Sequence, residues 1–268
     1  QGVDKHFTAG RLAHSLGLIG SAIDIDTACS ASLVGVAVAC QGMRIPEGNQ
    51  TRIVSNKRDE DALCMGINML MSPFSFIGLC GPSMLAKNGR CFTFDYSASG
   101  YARGDGFGGM YIKPGAGEED FATQMSCFMG VRVNQDGRSA TLTAPNGVAQ
   151  QACIRESMRE AGVVASQITV AECHGTGTAL GDPIEVGALR GVMEPRETPL
   201  LTTSAKSNIG HQEACAGLIG LIKCCLLVMS SICAPNCHLQ LLNPHLDVDG
   251  FPCFFTSEIS DTRLNSNY

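Results

Sequence analysis

Ile168-Thr-Val-Ala-Glu-Cys-His-Gly-Thr-Gly-Thr-Ala-Leu-Gly-Asp-Pro183 runs from a short apolar stretch through a glycine-rich loop into a helix start. Ile168–Glu172 reads as a strand, His174–Gly181 as the loop, and Asp182 suits a helix N-cap with Pro183 at the first helical position. The plan recurs at Leu200–Ser204, a strand that leads through polar Lys206–His211 into an apolar helix from about Glu213. It also occurs earlier, where Ser21–Asp26 reads as a strand entering a helix from about Ala28 to Met43. Ala28, Ser30, Ala31 and Ser32 are small enough there for close packing. Strand, loop and helix in repeated order predict an α/β fold.

Outside these units, Pro46 is expected to end the first helix, and the charged run Asn49–Asp61 to form an exposed loop or insertion. Apolar residues resume at Ala62–Met71, and Val148–Ala161 has helical amphipathicity. Pro114-Gly-Ala-Gly-Glu-Glu-Asp120 is the strongest boundary signal. It divides the chain into a half over 1–113, a linker over 114–119 and a half over 120–268.

With 268 residues, 44% hydrophobic and 16% charged, the chain can bury a sizeable core. A net charge of -6 without a basic stripe gives no electrostatic reason to bind nucleic acid or an anionic membrane. The fourteen cysteines lack CxxC spacing, and many lie in apolar helical patterns, as Cys40, Cys215, Cys224 and Cys225 do. Reduced, buried thiols are expected rather than a disulfide framework. Cys233, Cys237, His238 and His245 lack the tight paired spacing of a thiolate metal site, so no metal is expected. Ala214–Met229 is shorter than a bilayer span and contains Lys223, which favours a buried helix. The chain opens at Gln1 without a visible leader. The expected compartment is the cytoplasm, or a plastid where a leader precedes Gln1.

Cys29 stands in Asp26-Thr-Ala-Cys-Ser-Ala-Ser32, between a strand and a helix, where unpaired N–H groups and the positive helix end favour a thiolate nucleophile. Position alone favours a small core cysteine, a reading that the other motifs reverse. His174 lies in Glu172-Cys-His-Gly-Thr-Gly-Thr178, whose glycines admit a substrate close to the backbone and whose threonines offer hydroxyls. His211 lies in Lys206-Ser-Asn-Ile-Gly-His-Gln-Glu213. Each histidine alone could be a hydrogen-bonded core residue. Together with Cys29 they meet the needs of acyl transfer: a nucleophile and two donors for developing oxygen charge.

Five blocks make a family resemblance specific: DTACSASLVGVAVACQGMR, GRCFTFDYSASGYARGDGFG, VNQDGRSATLTAPNG, ECHGTGTALGDPIEVGAL and SAKSNIGHQEACAGLIGLIK. In this order they resemble β-ketoacyl synthases, especially the ketosynthase domains of type I polyketide synthases. The resemblance implies a thiolase-like fold, two similar halves in a layered α-β-α-β-α arrangement paired as a homodimer. It also implies an acyltransferase of the 3-oxoacyl-[acyl-carrier-protein] synthase type. Cys29 would carry the acyl group, and His174 and His211 would hold the extender thioester oxygen during decarboxylation. Lys206 would support the histidines with Glu213 as its charged neighbour. Thr176 and Thr178 would contact a phosphopantetheine arm, while Asp182 and Glu185 would order the loop. No bound cofactor is implied, since phosphopantetheine arrives on an acyl carrier protein that also delivers acyl and malonyl-type thioesters.

Three departures accompany the resemblance. Only twenty-eight residues precede Cys29, so the N-terminal half is expected to be incomplete. The Gly-Phe-Gly loop found near the end of family members is absent before Tyr268, and Met65-Gly-Ile-Asn68 replaces an Ala-Gly-Gly-Val-Asn-like strand. Two rival readings remain: a thiolase, which would want a second catalytic cysteine in the C-terminal half, and a non-catalytic docking or chain-length-controlling subunit, which would commonly lack Cys29.

Overall fold

In a computed structural model, residues 7–44, 61–115, 118–120, 122–139, 141 and 144–262 are described. The elements in chain order are α1 (Thr8–Leu16), α2 (Ala31–Met43), β1 (Ala62–Asn68), α3 (Pro73–Cys80), β2 (Gly106–Ile112), α4 (Gly147–Ala161), β3 (Val170–Glu172), α5 (Gly181–Met193), β4 (Leu200–Thr203), α6 (Lys206–Ile209), α7 (Ala216–Ser230), β5 (Ile232–Cys233), β6 (Cys253–Phe255) and β7 (Ser260–Asp261). Strands β3, β4 and β6 form a parallel sheet in that order. Strands β1 and β2 pair antiparallel from Ala62↔Ile112 to Asn68↔Gly106, and β5 pairs antiparallel with β7.

Two apolar clusters support these layers. Val36, Cys40 and Met43 of α2 pack with Cys64 of β1 and Leu218 of α7. Phe94, Cys173, Val186, Leu189, Met193, Leu200, Leu246 and Phe251 form the other cluster, against the parallel sheet and α5. Helix α2 approaches its neighbours closely because glycine faces it. A methyl added at Gly66 would lie 2.9 Å from Ser32 Cβ, and one added at Gly217 would lie 2.8 Å from Leu33 Cβ. The apolar segment Glu213–Ser230 is long enough to cross a membrane by length and composition. Its Lys223, however, points inward, pairing with Glu172 at 2.7 Å and donating to Thr203 Oγ1 at 2.8 Å.

Several expectations need correction. Ser21–Asp26 joins no sheet ladder among the described residues and is largely exposed, since none of the sheets formed by the described strands includes it. Helix α2 starts at Ala31 rather than Ala28, since Ala28 has a φ of 54°, outside helical geometry. Asp182 lies inside the first turn of α5 instead of capping it, and its carboxylate reaches distant backbone N–H groups. Lys206–Ile209 winds into one helical turn, α6. Pro46, all of the Asn49–Asp61 run except Asp61, and residues 116–117 of the linker lie outside the described residues.

Candidate active site

The turn that carries Cys29 is held in a conformation an alanine resists. At Ala28 the positive φ of 54° costs about 1–2 kcal/mol for a residue with a Cβ. Asp26 Oδ1 accepts the Ala28 N–H at 3.2 Å, Ser30 Oγ donates to Thr27 O at 2.9 Å, and the Ala31 N–H donates to Ala28 O at 3.0 Å. These bonds set the half-buried Cys29 side chain just ahead of α2.

His174 follows β3, and His211 follows the α6 turn after β4, so the two adjacent parallel strands deliver one imidazole each. One ligand-capable atom from each of Cys29, His174 and His211 lies within 4.8 Å of the other two. The two rings stand edge to face at 5.3 Å, and Tyr101 packs against His211 at 4.9 Å. Burial, reinforced by the Lys206 ammonium, pushes His211 down to about 3. The surrounding protein, then Lys206 and His211, hold His174 well below the ordinary histidine value, although the residue keeps a solvent-accessible edge. Both imidazoles are therefore neutral at pH 7.

His211 Nδ1 accepts the Glu213 N–H at 3.1 Å, which puts the proton of the neutral ring on Nε2 and makes that atom a donor. The same hydrogen bond argues against a metal in the triangle. A metal at Nε2 would displace that proton, whereas metal-binding histidines normally donate from their other nitrogen. The Cys233, Cys237, His238 and His245 grouping does not assemble: Cys237 Sγ donates to Ser207 O at 2.7 Å and His238 packs on Phe92 at 5.5 Å.

Lys206 is buried, and burial lowers its pKa while Glu185 and then Glu172 oppose the shift. Those two acids are its charged neighbours. Glu213, expected in that role, instead forms an ion pair with Arg103 through both carboxylate oxygens. Glu185 accepts the N–H groups of His174 and Gly175 at 2.5 and 2.8 Å. Asp182 accepts those of Phe94 and Gly177 at 2.9 and 3.1 Å, so the two acids order the glycine-rich loop. Gly175 needs its missing side chain, because a Cβ there would lie 2.6 Å from Ser204 Cβ. Thr176 and Thr178 stand with their hydroxyl oxygens 3.1 Å apart, and Thr178 Oγ1 also accepts the Gly181 N–H at 3.2 Å.

Sequence reasoning missed Tyr101, Arg103, Glu172 and Lys223. Arg103 and Tyr101 lie in the GYARGDG block, whose chemistry is legible only once the fold sets it beside His211. All fourteen cysteines are free thiols. Burial pushes Cys64 up to about 11 and Cys224 up to about 12.

Comparison with known proteins gives a consistent result. Residues 1–116 match the family described as "Beta-ketoacyl synthase, N-terminal domain", and residues 125–240 match "Beta-ketoacyl synthase, C-terminal domain". The chain is 40% identical over 242 residues to one of the phenolphthiocerol/phthiocerol polyketide synthases of Mycobacterium tuberculosis, covering 89% of this chain and 12% of that protein. It is 38% identical over 241 residues to erythronolide synthase EryA2 of Saccharopolyspora erythraea, covering 89% of this chain and 6% of that protein. Among solved structures, the ketosynthase from module 6 of the Bacillus subtilis 168 bacillaene synthase superposes with a TM-score of 0.87 at 32% identity, over 97% of this chain and 45% of that one. The oxazolomycin ketosynthase domain OzmH KS7 of Streptomyces albus JA3453 gives a TM-score of 0.88 at 30% identity, over 96% of this chain and 44% of that one.

Proposed function

Because the chain belongs to the β-ketoacyl synthase family and has its thiolase-like fold, we propose that it performs acyl transfer to Cys29 followed by decarboxylative Claisen condensation. The observation that carries this reading is the convergence of Cys29, His174 and His211 within 4.8 Å. Polyketide biosynthesis is the setting its relatives indicate. The substrates are acyl and malonyl-type thioesters on the phosphopantetheine arm of a carrier protein, with Thr176 and Thr178 beside the arm. The working unit is a homodimer. The free thiols fit a reducing compartment, for which we propose the cytoplasm.

In the first step the Cys29 sulfur attacks the carrier-bound acyl carbon. The acyl–Cys29 bond forms, the pantetheine C–S bond breaks, and the departing thiol takes the proton that Cys29 loses. In the second step the malonyl thioester loses carbon dioxide, and the electron pair of the broken C–C bond becomes an enolate. His211 Nε2–H and a His174 N–H donate to the enolate oxygen. Neutral donors already in place need no reorganisation as that charge develops. The enolate carbon then attacks the acyl–Cys29 carbon and expels the Cys29 thiolate, which regains a proton from solvent. Lys206, beside both rings, adds to burial in keeping them neutral and supplies positive potential. The single sulfur in this cluster speaks for a synthase over a thiolase, and its presence speaks against a purely docking role.

The test separates the steps in the protein that contains this chain, using radiolabelled malonyl-carrier. Cys29→Gln is expected to abolish acyl loading and condensation yet retain or raise carbon dioxide release, because the amide resembles an acylated cysteine. His174→Ala and His211→Ala are each expected to slow that release by about 10²–10³-fold. Parental release by both histidine variants, with none from Cys29→Gln, would overturn the assignment.

A further inference from the structure

We propose that Arg103 is a positioning residue, acting through Glu213 to aim the backbone N–H that holds the His211 proton on Nε2. The inference rests on reading His211 as a donor to the substrate oxygen. Its geometry is independent of that reading.

Arg103 binds Glu213 through two nitrogens, with Nη2 to Oε2 at 2.9 Å and Nε to the other oxygen. The arginine side chain is only 4% exposed against 25% for the acid, so the clamp closes from the protein side. The guanidinium is itself fixed. Its Cζ lies over the Phe76 ring, 4.5 Å from the centroid, and Nη1 donates to Ser75 Oγ at 2.5 Å, both on α3. The backbone braces the same place, since the His211 N–H donates to Ala102 O at 2.7 Å and the Gly104 N–H donates to His211 O at 2.9 Å.

What this clamp restrains is a residue that would otherwise relax. Glu213 has a φ of 44°, a left-handed conformation that a side chain disfavours, and its N–H meets His211 Nδ1 at 3.1 Å. If Glu213 turned away, nothing at that position would oppose a proton on Nδ1, and Nε2 would lose its hydrogen for part of the time. With the clamp in place the competing tautomer would set two N–H groups against each other. Lysine cannot reproduce this, because the hold needs a planar fork that pairs with both oxygens while its charge sits over Phe76.

The test uses the protein that contains this chain, with ¹⁵N-labelled histidine, and reads the protonation of the His211 ring nitrogens by NMR. The parent is expected to show a protonated Nε2 and an unprotonated Nδ1. Arg103→Ala and Glu213→Gln are expected to show a mixture, with Arg103→Lys in between. In parallel, decarboxylation of malonyl-carrier should fall at least tenfold further than acyl loading of Cys29. Adding Arg103→Ala to Glu213→Gln should then change little more. A parental tautomer in Arg103→Ala, or an equal fall in both steps, would overturn the proposal. Normal decarboxylation by His211→Ala, with the tautomer still dependent on Arg103, would defeat the functional reading and leave this coupling standing.

Discussion

Phe94 is fully buried with a φ of 61°, a left-handed conformation that a bulky residue adopts only under constraint. Asp182 supplies the constraint: one carboxylate accepts N–H groups from Phe94 and from Gly177, itself at a φ of 75°. Burial raises Asp182 to about 7; Glu185 adds to the rise, while N–H groups of Phe94, Gly177 and Thr178 oppose it. A carboxyl raised on folding binds protons more tightly in the native state. Its stabilising share is thus full below about pH 4 and is lost as pH climbs through about 7. Asp182→Asn keeps one acceptor and does not titrate. It is expected to cost about 1–3 kcal/mol at pH 5 and visibly less at pH 8, measured by urea denaturation. A gap that stays constant across that range would mean Asp182 is ionised throughout. Local spacing before Pro183 suggested a helix cap at Asp182, and no local rule could name a partner 88 residues away.

Elements with a clear period were legible: Val148–Ala161 became α4, Ile168–Glu172 became β3 and Leu200–Ser204 became β4, each within two residues. Strand β2 was not, because Gly106, Gly108 and Gly109 are poor strand formers. Tertiary packing chooses those glycines. A Cβ at Gly106 would lie 2.6 Å from Gln212 Cβ, and one at Gly108 would lie 3.2 Å from Ile219 Cδ1. Helix α3 escaped notice for a related reason, since its eight residues bury no side chain fully and carry no polar face. The join between β3, β4 and α7 was equally hidden. Glu172 accepts the Ala205 N–H at 2.6 Å, ahead of Lys206, while its other oxygen pairs with Lys223. Lys223→Met is expected to cost about 3–5 kcal/mol, because it removes the direct ion-pair partner of a carboxylate in a buried place. Glu172→Gln combined with Lys223→Met should recover part of that loss. A double-mutant cycle by urea denaturation reads the coupling, and strictly additive effects would show that the pair does not join the elements.

At the scale of the whole molecule, the strand-loop-helix order and the two histidine loops were legible because each is local in sequence. What brings them together is not: Cys29 meets His174 and His211 only once both apolar clusters, which draw residues from distant parts of the chain, have formed. The same distinction applies to assembly. The segment 21–26 reads as a strand, yet it lies outside every ladder among the described residues, with Ile23 45% exposed. A strand-forming segment left outside the sheets can pair with its own copy about a two-fold axis, residue against residue, which is an isologous contact. Such pairing would also steady the turn that carries Cys29, because Asp26 at the end of the segment accepts the Ala28 N–H next to it. The protein that contains this chain is therefore expected to scatter light as a dimer. Ile23→Pro, which removes a ladder donor and the apolar contact together, should shift it toward monomer and slow acyl loading of Cys29 more than it slows decarboxylation of malonyl-carrier. A parent protein that is monomeric at every concentration and fully active would refute the pairing. A dimeric Ile23→Pro variant with parental loading would place the interface elsewhere.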